Sequence, residues 1–217
     1  MVESKNDTYI KKILNDLKLM DYIKPGEIPN IDLYMDQVTT FMDEHLYTCK
    51  RFEDDKMLTK TMINNYTKNN LLPSPNKKKY SKEHMLLLVF IYYFKNILSI
   101  SDIQSILNPL TEKYFNSDNV VQLEDIYSEV FGLEEAQMEN LTKDVLKKYM
   151  KSLKTFDQVE DEEEKEFLNK FSLICMLSYD VYVKKALIEK IIDRELVPLN
   201  EKLKEESNPK KKDKDNK

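Results

Sequence analysis

The sequence predicts an all-α protein, and three features of its composition lead to that prediction. The chain has 217 residues, of which 41% are hydrophobic, so it can bury one sizeable core or two small ones. Its two glycines, Gly26 and Gly132, leave few positions for the primed turns that close β-hairpins. Charged residues make up 34% of the chain, and lysine and glutamate are interspersed with Leu, Ile and Met as in solvated amphipathic helices.

Helical periodicity marks the first third of the chain. Residues 5–23 and residues 31–46 each place apolar side chains three and four positions apart, which predicts two amphipathic helices. A short third helix is expected between residues 58 and 70. It cannot continue much further, because Pro73 and Pro75 disfavour helical backbone in the residues before them.

The middle of the chain contains the expected core helix. Residues 73–81 cannot be helical, and Ser81 then provides an N-cap for the strongly apolar run that follows it. The next helix is expected to begin at Ser99 or at Ser101. Of the two, Ser101 forms the spacing of a capping box with Gln104.

Three further helices are predicted in the second half of the chain, over residues 120–133, 142–153 and 164–196. The acidic stretch at residues 157–166 places negative charge at the N-terminus of the last helix and is expected to be solvated. The tail, residues 204–217, has no large apolar side chain to bury and is expected to be disordered.

Few residues could support catalysis or metal binding. Cys49 and Cys175 lack neighbours of the CxxC type, and His45 and His84 are isolated, so we expect reduced, buried thiols, packed or half-exposed histidines and no metal or other cofactor. Without a paired His or Cys constellation or a glycine-rich loop, an enzyme is not expected. No apolar run approaches a membrane span and the N-terminus lacks a signal-peptide pattern, which predicts a cytoplasmic protein without membrane contact.

The strongest physical signal is a local excess of positive charge. The whole chain has a formal net charge of −5, yet the stretch from Lys56 to Lys82 contains seven lysines and neither aspartate nor glutamate. A cationic surface of this kind can bind a polyanion such as nucleic acid, and the alternative is a solvated turn. The order of a polar helix, a basic turn and an apolar helix favours a winged helix-turn-helix.

The same stretch resembles the DNA-binding domain of MerR-type transcription regulators. That pattern combines a tyrosine, a basic helix end, Leu-Leu-Pro, a basic wing ending in Tyr-Ser, an apolar helix and a Leu-Ser turn into an Asp-Ile helix. The matching positions are Tyr66, Lys68, Leu71, Leu72, Pro73, Lys78, Lys79, Tyr80, Ser81, Leu88, Ile91, Leu98, Ser99, Asp102 and Ile103. More closely, residues 28–110 and beyond resemble an uncharacterised bacterial family of domains of unknown function, the YkrK-like proteins, whose core is MerR-like.

The resemblance implies a division of the chain into four parts. Residues 1–27 form an N-terminal helix and linker, and residues 28–110 form a MerR-like winged-helix domain. Residues 111–203 form a helical dimerisation or sensing region, and residues 204–217 form the tail.

The resemblance also implies roles for individual residues. The recognition helix would carry Lys60, Thr61, Asn64, Asn65 and Lys68. The wing would carry Lys77, Lys78 and Lys79. MerR-type proteins usually have arginine and tyrosine at the positions of Asn64 and Asn65. Asparagine suits adenine edges, and lysine suits phosphate or guanine. Tyr66 and Tyr80 would either give a hydroxyl to phosphate or pack their rings against the support helix.

Duplex DNA and a second copy of the chain are the partners that the resemblance implies, because MerR-type regulators bind palindromic sites as dimers. The candidate dimer contact is the apolar stripe of the helix at residues 164–196, formed by Phe167, Phe171, Ile174, Leu177, Val181, Leu187 and Ile191. Packing of that stripe within the monomer is the alternative. No small-molecule effector follows from the residues. A second hypothesis keeps the winged-helix scaffold but assigns it to protein binding, since a fold does not fix a function.

Overall fold

The structure is a computed structural model that describes residues 5–18 and 23–207. In chain order the helices are α1 (Lys5–Lys18), α2 (Met35–His45), α3 (Lys60–Lys68), α4 (Lys82–Phe94), α5 (Ile100–Tyr114), α6 (Leu123–Gly132), α7 (Glu134–Ser152), α8 (Glu162–Ile191) and α9 (Val197–Ser207). The strands β1 (Leu33–Tyr34) and β2 (Lys79–Tyr80) pair in antiparallel orientation. The described part of the chain divides into two compact units. The first unit falls within Met1–Asp21 and Val130–Ala186, and the second within Tyr22–Glu129 and Leu187–Lys217.

The first unit is built from α1, α7 and the greater part of α8. Its core consists of Ile10, Leu14, Val145 and Tyr149, with Leu146, Leu153, Leu173 and Leu177 packed against them. Helical spacing brings these residues onto one face of each helix, as the periodicity of the sequence predicts. The predicted first helix extended to residue 23, and its residues 19–22 lie outside the described part of the chain.

The second unit is organised around α4. This helix buries nine consecutive residues, from His84 to Tyr92, so both of its faces are covered. Tyr127 of α6 joins the start of this unit to α6, because its buried hydroxyl donates a hydrogen bond to the carbonyl oxygen of Ile23 at 2.6 Å. The prediction of a central apolar helix that begins after Ser81 is confirmed.

The C-terminal helix α9 also belongs to the second unit. It packs on α5, where the buried side chain of Asn200 donates to the carbonyl oxygen of Ser105 at 2.9 Å. The helix continues to Ser207, so residues 204–207 are helical, although the sequence predicted disorder from residue 204. The rest of the predicted tail lies outside the described residues.

The all-α prediction is correct for most of the described residues and misses the small sheet. Leu33 pairs with Tyr80, and Tyr34 pairs with Lys79. Because β1 takes up these residues, α2 begins only at Met35, later than the predicted start near residue 31. The cause is a pairing between segments far apart in sequence, which local periodicity does not report.

The structure decides between the two predicted caps of the helix after α4, and the predicted capping box needs correction. Ser99 is the cap, since Ser99 Oγ accepts from the Asp102 amide at 3.2 Å and the Ser99 amide donates to Asp102 Oδ2 at 3.1 Å. Gln104, the other member of the predicted capping box, instead donates its side-chain amide to the carbonyl oxygen of Asn69.

The last predicted helix, residues 164–196, is not regular throughout. Residues Ile192–Leu196 form a π-helical segment between α8 and α9. Pro198 lies just beyond this segment. A proline has no backbone N–H to donate, and in a regular helix its ring collides with the carbonyl group four residues earlier, here that of Arg194. A π turn that inserts one residue accommodates such a conflict.

Within residues 5–18 and 23–207, no helix combines the length and the apolar composition needed to cross a membrane.

Candidate nucleic-acid interface

Helix α3 presents a polar face to solvent and an apolar face to the core. The exposed side chains are those of Lys60, Thr61, Asn64, Asn65 and Lys68. On the opposite side, Ile63 and Tyr66 are buried. The five helix residues assigned to recognition from the sequence therefore share one exposed face, as the period of 3.6 residues requires.

Both ends of α3 are fixed by short-range hydrogen bonds. At the start, Thr59 Oγ1 accepts from the Met62 amide at 3.2 Å. At the end, Asn70 adopts a left-handed conformation with φ of 56°, and the amides of Leu71 and Leu72 both donate to the carbonyl oxygen of Tyr66. Leu71 and Leu72 are buried, so the chain is turned back into the core directly after the helix.

A tight turn precedes β2. We call residues 76–79 the basic turn, because it contains Lys77, Lys78 and Lys79. The Lys79 amide donates to the Asn76 carbonyl at 2.9 Å, which leaves Lys77 and Lys78 as the two central residues. Both have positive φ, 49° and 65°, and both side chains are exposed. The expectation that scarce glycine disfavours primed turns is therefore wrong at this position, where lysines occupy left-handed positions.

The sheet places one further residue beside the basic turn. Tyr34, the cross-strand partner of Lys79, is 53% exposed, and the Lys79 ammonium lies 5.2 Å from the centre of its ring. Tyr34 is not among the candidate contacts predicted from the sequence, because it falls within the helix predicted over residues 31–46. No local signal could have found it, because the pairing joins segments 45 residues apart.

Tyr66 and Tyr80 belong to the core of the second unit. Their exposed fractions are only 6% and 3%, and burial raises the pKa of both hydroxyl groups. The sequence left two roles open for these tyrosines. Their burial agrees with packing of the rings against the apolar helix that follows the basic turn.

Most lysines of the basic stretch form no ion pair with the acidic residues that the structure describes. Lys60 forms an ion pair with Asp36 of α2, and Lys82 pairs with Glu124 at 2.9 Å. The remaining five form no ion pair within the described part of the chain, namely Lys56, Lys68, Lys77, Lys78 and Lys79. These five ammonium groups are the positive charge that a bound anion could neutralise.

His84 lies at the base of the basic turn. Its Nδ1 accepts from the Ser81 amide at 3.1 Å, which caps the start of α4, and its ring meets the rings of Tyr80 and Phe115 edge-on. Burial lowers the pKa of His84. The sequence left packed and half-exposed histidines open, and His84 is packed.

The expected buried thiols are found only in part. Cys49 is half-buried, but Cys175 is exposed, because Leu173 and Leu177 occupy the core-facing side of α8 instead. Among the described residues, no group of three His, Cys, Asp or Glu side chains is placed to hold a metal ion.

Residues 23–131, half of the chain, match a family described as a domain of unknown function, DUF1836. No curated protein and no solved structure shows a significant match to the chain. The matched range includes the exposed face of α3, the basic turn and Tyr34, so every residue of the candidate interface lies inside it. The chain therefore belongs to the DUF1836 family.

Proposed function

We propose that the second unit binds duplex DNA and that the protein acts as a transcription regulator of the MerR-like type. The observation that carries the proposal is the set of five lysines, in a stretch without a single acidic residue, that have no carboxylate partner in the described structure. Each ammonium that neutralises a phosphate releases counterions, which favours binding irrespective of base sequence. Affinity for duplex DNA should therefore depend strongly on salt.

The order of elements supports the same proposal. Helices α2 and α3, the basic turn, β2 and α4 follow one another as expected of a winged helix-turn-helix, with α3 in the place of the recognition helix. This arrangement agrees with the resemblance to MerR-type regulators and to the YkrK-like proteins. Asn64 and Asn65 are free to face a groove, and their amide groups suit the donor and acceptor pattern of adenine.

One observation favours a second candidate function. Asp36 of α2 pairs with Lys60 at the start of the exposed face of α3, so one of the proposed contacts is already neutralised. Together with the neutral asparagines, this pair fits a winged-helix scaffold that binds a protein instead of DNA. An acidic protein partner would then occupy the basic turn, and no duplex would compete with it.

We also propose that the regulator is a homodimer through α8. Phe167, Phe171, Ile174, Ser178 and Val181 follow one another at alternating spacings of four and three, which is the seam of a coiled coil. The four apolar members are 53–65% exposed, although Leu177 packs into the first unit. A helix that carries apolar residues on two opposite sides is expected to bury both sides against other structural elements.

The charges of α8 favour an antiparallel pair of identical helices. Glu162, Glu163 and Glu164 form its first turn, and Lys190 lies in its last turn. In an antiparallel pair the acidic end of each copy lies beside the basic end of the other, whereas a parallel pair brings like charges together. A second copy is therefore a chemically matched partner for this face.

Light scattering tests the dimer directly. We expect twice the monomer mass of 25.9 kDa at micromolar concentration and the monomer mass after Phe171→Lys. Tyr179→Lys is the matched control, because Tyr179 is 68% exposed against 53% for Phe171 but lies off the seam. A wild-type monomer at all these concentrations would contradict the dimer.

Selection of bound duplexes from a random pool tests the DNA-binding proposal. It reports binding, preferred sequence and half-site spacing together. Enrichment of a palindrome supports a dimeric regulator. Failure to retain any duplex at low salt contradicts DNA binding and leaves the protein-binding candidate.

A further inference from the structure

The basic turn holds two lysines in a backbone conformation that lysine rarely adopts. The φ angles of Lys77 and Lys78 are 49° and 65°, so both central residues of the turn are left-handed. In this conformation the Cβ of an L-residue approaches the following carbonyl oxygen, which is unfavourable at each position. Turns with two left-handed central residues strongly prefer Asn-Gly.

No other contact explains this choice of residues. Both lysine side chains are exposed, and neither forms an ion pair within the described part of the chain. Elsewhere in the second unit, positive φ is found at Asn70 and Asn116, a residue type that tolerates it. Two strained residues without compensating packing point to a role outside folding.

The third lysine of the turn differs from these two. Lys79 lies in β2, where its ammonium sits over the ring of Tyr34 and its side chain is half-buried. The two-residue turn is the shortest connection available, so it carries Lys77 and Lys78 together at the tip. The tip therefore presents two adjacent ammonium groups, and neither of them forms an ion pair in the described structure.

We propose that the tip of the basic turn is a phosphate-binding site for the backbone of duplex nucleic acid, where Lys77 and Lys78 are kept at the expense of folding stability. The inference rests on the proposed function and adds to it which lysines contact phosphate and why they occupy unfavourable positions. Lysine acts as a point charge on a flexible stem, so these contacts fix position without reading bases.

The test compares two double variants of the full chain on a mixed-sequence duplex of about 25 base pairs, sized to roughly two helical turns. Lys77→Asn/Lys78→Gly removes both charges and relieves the strain. Its affinity should fall by tens of fold at 0.1 M salt, and the slope of log affinity against log salt should become shallower by about 1.8. Its melting temperature should rise by about 2–4 °C.

The second variant separates charge from strain. Lys77→Ala/Lys78→Ala removes the same charges but leaves a Cβ at both positions, so binding should fall equally while the melting temperature does not rise. Lys202→Gln/Lys204→Gln, which removes two exposed lysines of α9 elsewhere in the second unit, should keep the wild-type affinity and slope.

The outcomes distinguish this inference from the proposed function. Wild-type binding with an unchanged affinity in the Asn-Gly variant would overturn the phosphate site alone. An unchanged or lower melting temperature in that variant would overturn the claim that stability is given up at the tip. A wild-type protein that binds no duplex would contradict the proposed function itself, and this inference with it.

Discussion

Removing the carboxylate of Asp36 should strengthen DNA binding. Asp36 pairs with Lys60 at the start of the exposed face of α3, and their side chains are 76% and 60% exposed. An ion pair as exposed as this contributes about 0–1 kcal/mol to folding, so Asp36→Asn should scarcely change the free energy of unfolding. The freed ammonium, however, becomes available to a phosphate.

The size of the effect follows from one additional phosphate contact. The slope of log affinity against log salt should become more negative by about 0.9, which corresponds to roughly eightfold tighter binding at 0.1 M salt. Fluorescence anisotropy of a labelled duplex, titrated at several salt concentrations, measures both quantities. Glu201→Gln in α9 removes one exposed acidic charge elsewhere in the second unit and serves as the control.

Two results would refute this reasoning. If Asp36→Asn and Glu201→Gln strengthen binding to the same extent, the gain reflects overall charge and not a contact near α3. If Asp36→Asn weakens binding, the Asp36–Lys60 pair orients α3 for DNA binding. The carboxylate of Asp36 then does not prevent Lys60 from contacting a phosphate.

Three further predictions concern the second unit. Asn64→Ala or Asn65→Ala should weaken binding to a selected site by about 1–3 kcal/mol and leave binding to random duplex unchanged, as measured by competition; equal losses on both duplexes would exclude base reading. Because burial lowers the pKa of His84, the unfolded chain binds the proton more readily, so the free energy of unfolding should be constant above about pH 6.5 and fall below it. Urea unfolding at pH 7.5 and 5.5 measures this loss, which should be smaller in His84→Gln; an equal loss would mean that other groups cause it. Tyr127→Phe should cost about 1–3 kcal/mol by urea unfolding, because it leaves the buried carbonyl of Ile23 without its donor, and an unchanged stability would show that water replaces the hydroxyl.

The helices could be predicted because their signals are local. The apolar run after Ser81, the prolines that end α3 and the periodic faces of α7 and α8 are each contained within a few turns of chain. The exposed face of α3 was predictable for the same reason, since helical period alone brings its five polar residues together.

The features that the sequence did not predict depend on contacts between distant segments or on residues in backbone conformations that they rarely adopt. The sheet joins residues 33–34 to 79–80, which shortens α2 and brings Tyr34 beside Lys79. The turn at Lys77 and Lys78 contradicts the residue preferences that normally identify such turns. The exposure of Cys175 depends on which side of α8 packs into the first unit, and an apolar pattern on both sides of that helix does not decide it.

Photocrosslinking to DNA tests the central claim most directly, because it identifies the surface that touches the duplex. A photoreactive amino acid is placed at position 64 on α3, at position 78 in the basic turn or at position 179 on the exposed side of α8 in the first unit. Each variant is then irradiated with a labelled duplex at low salt. The account predicts crosslinks from positions 64 and 78 and none from position 179. Crosslinks from position 179 alone, or from none of the three, would contradict it.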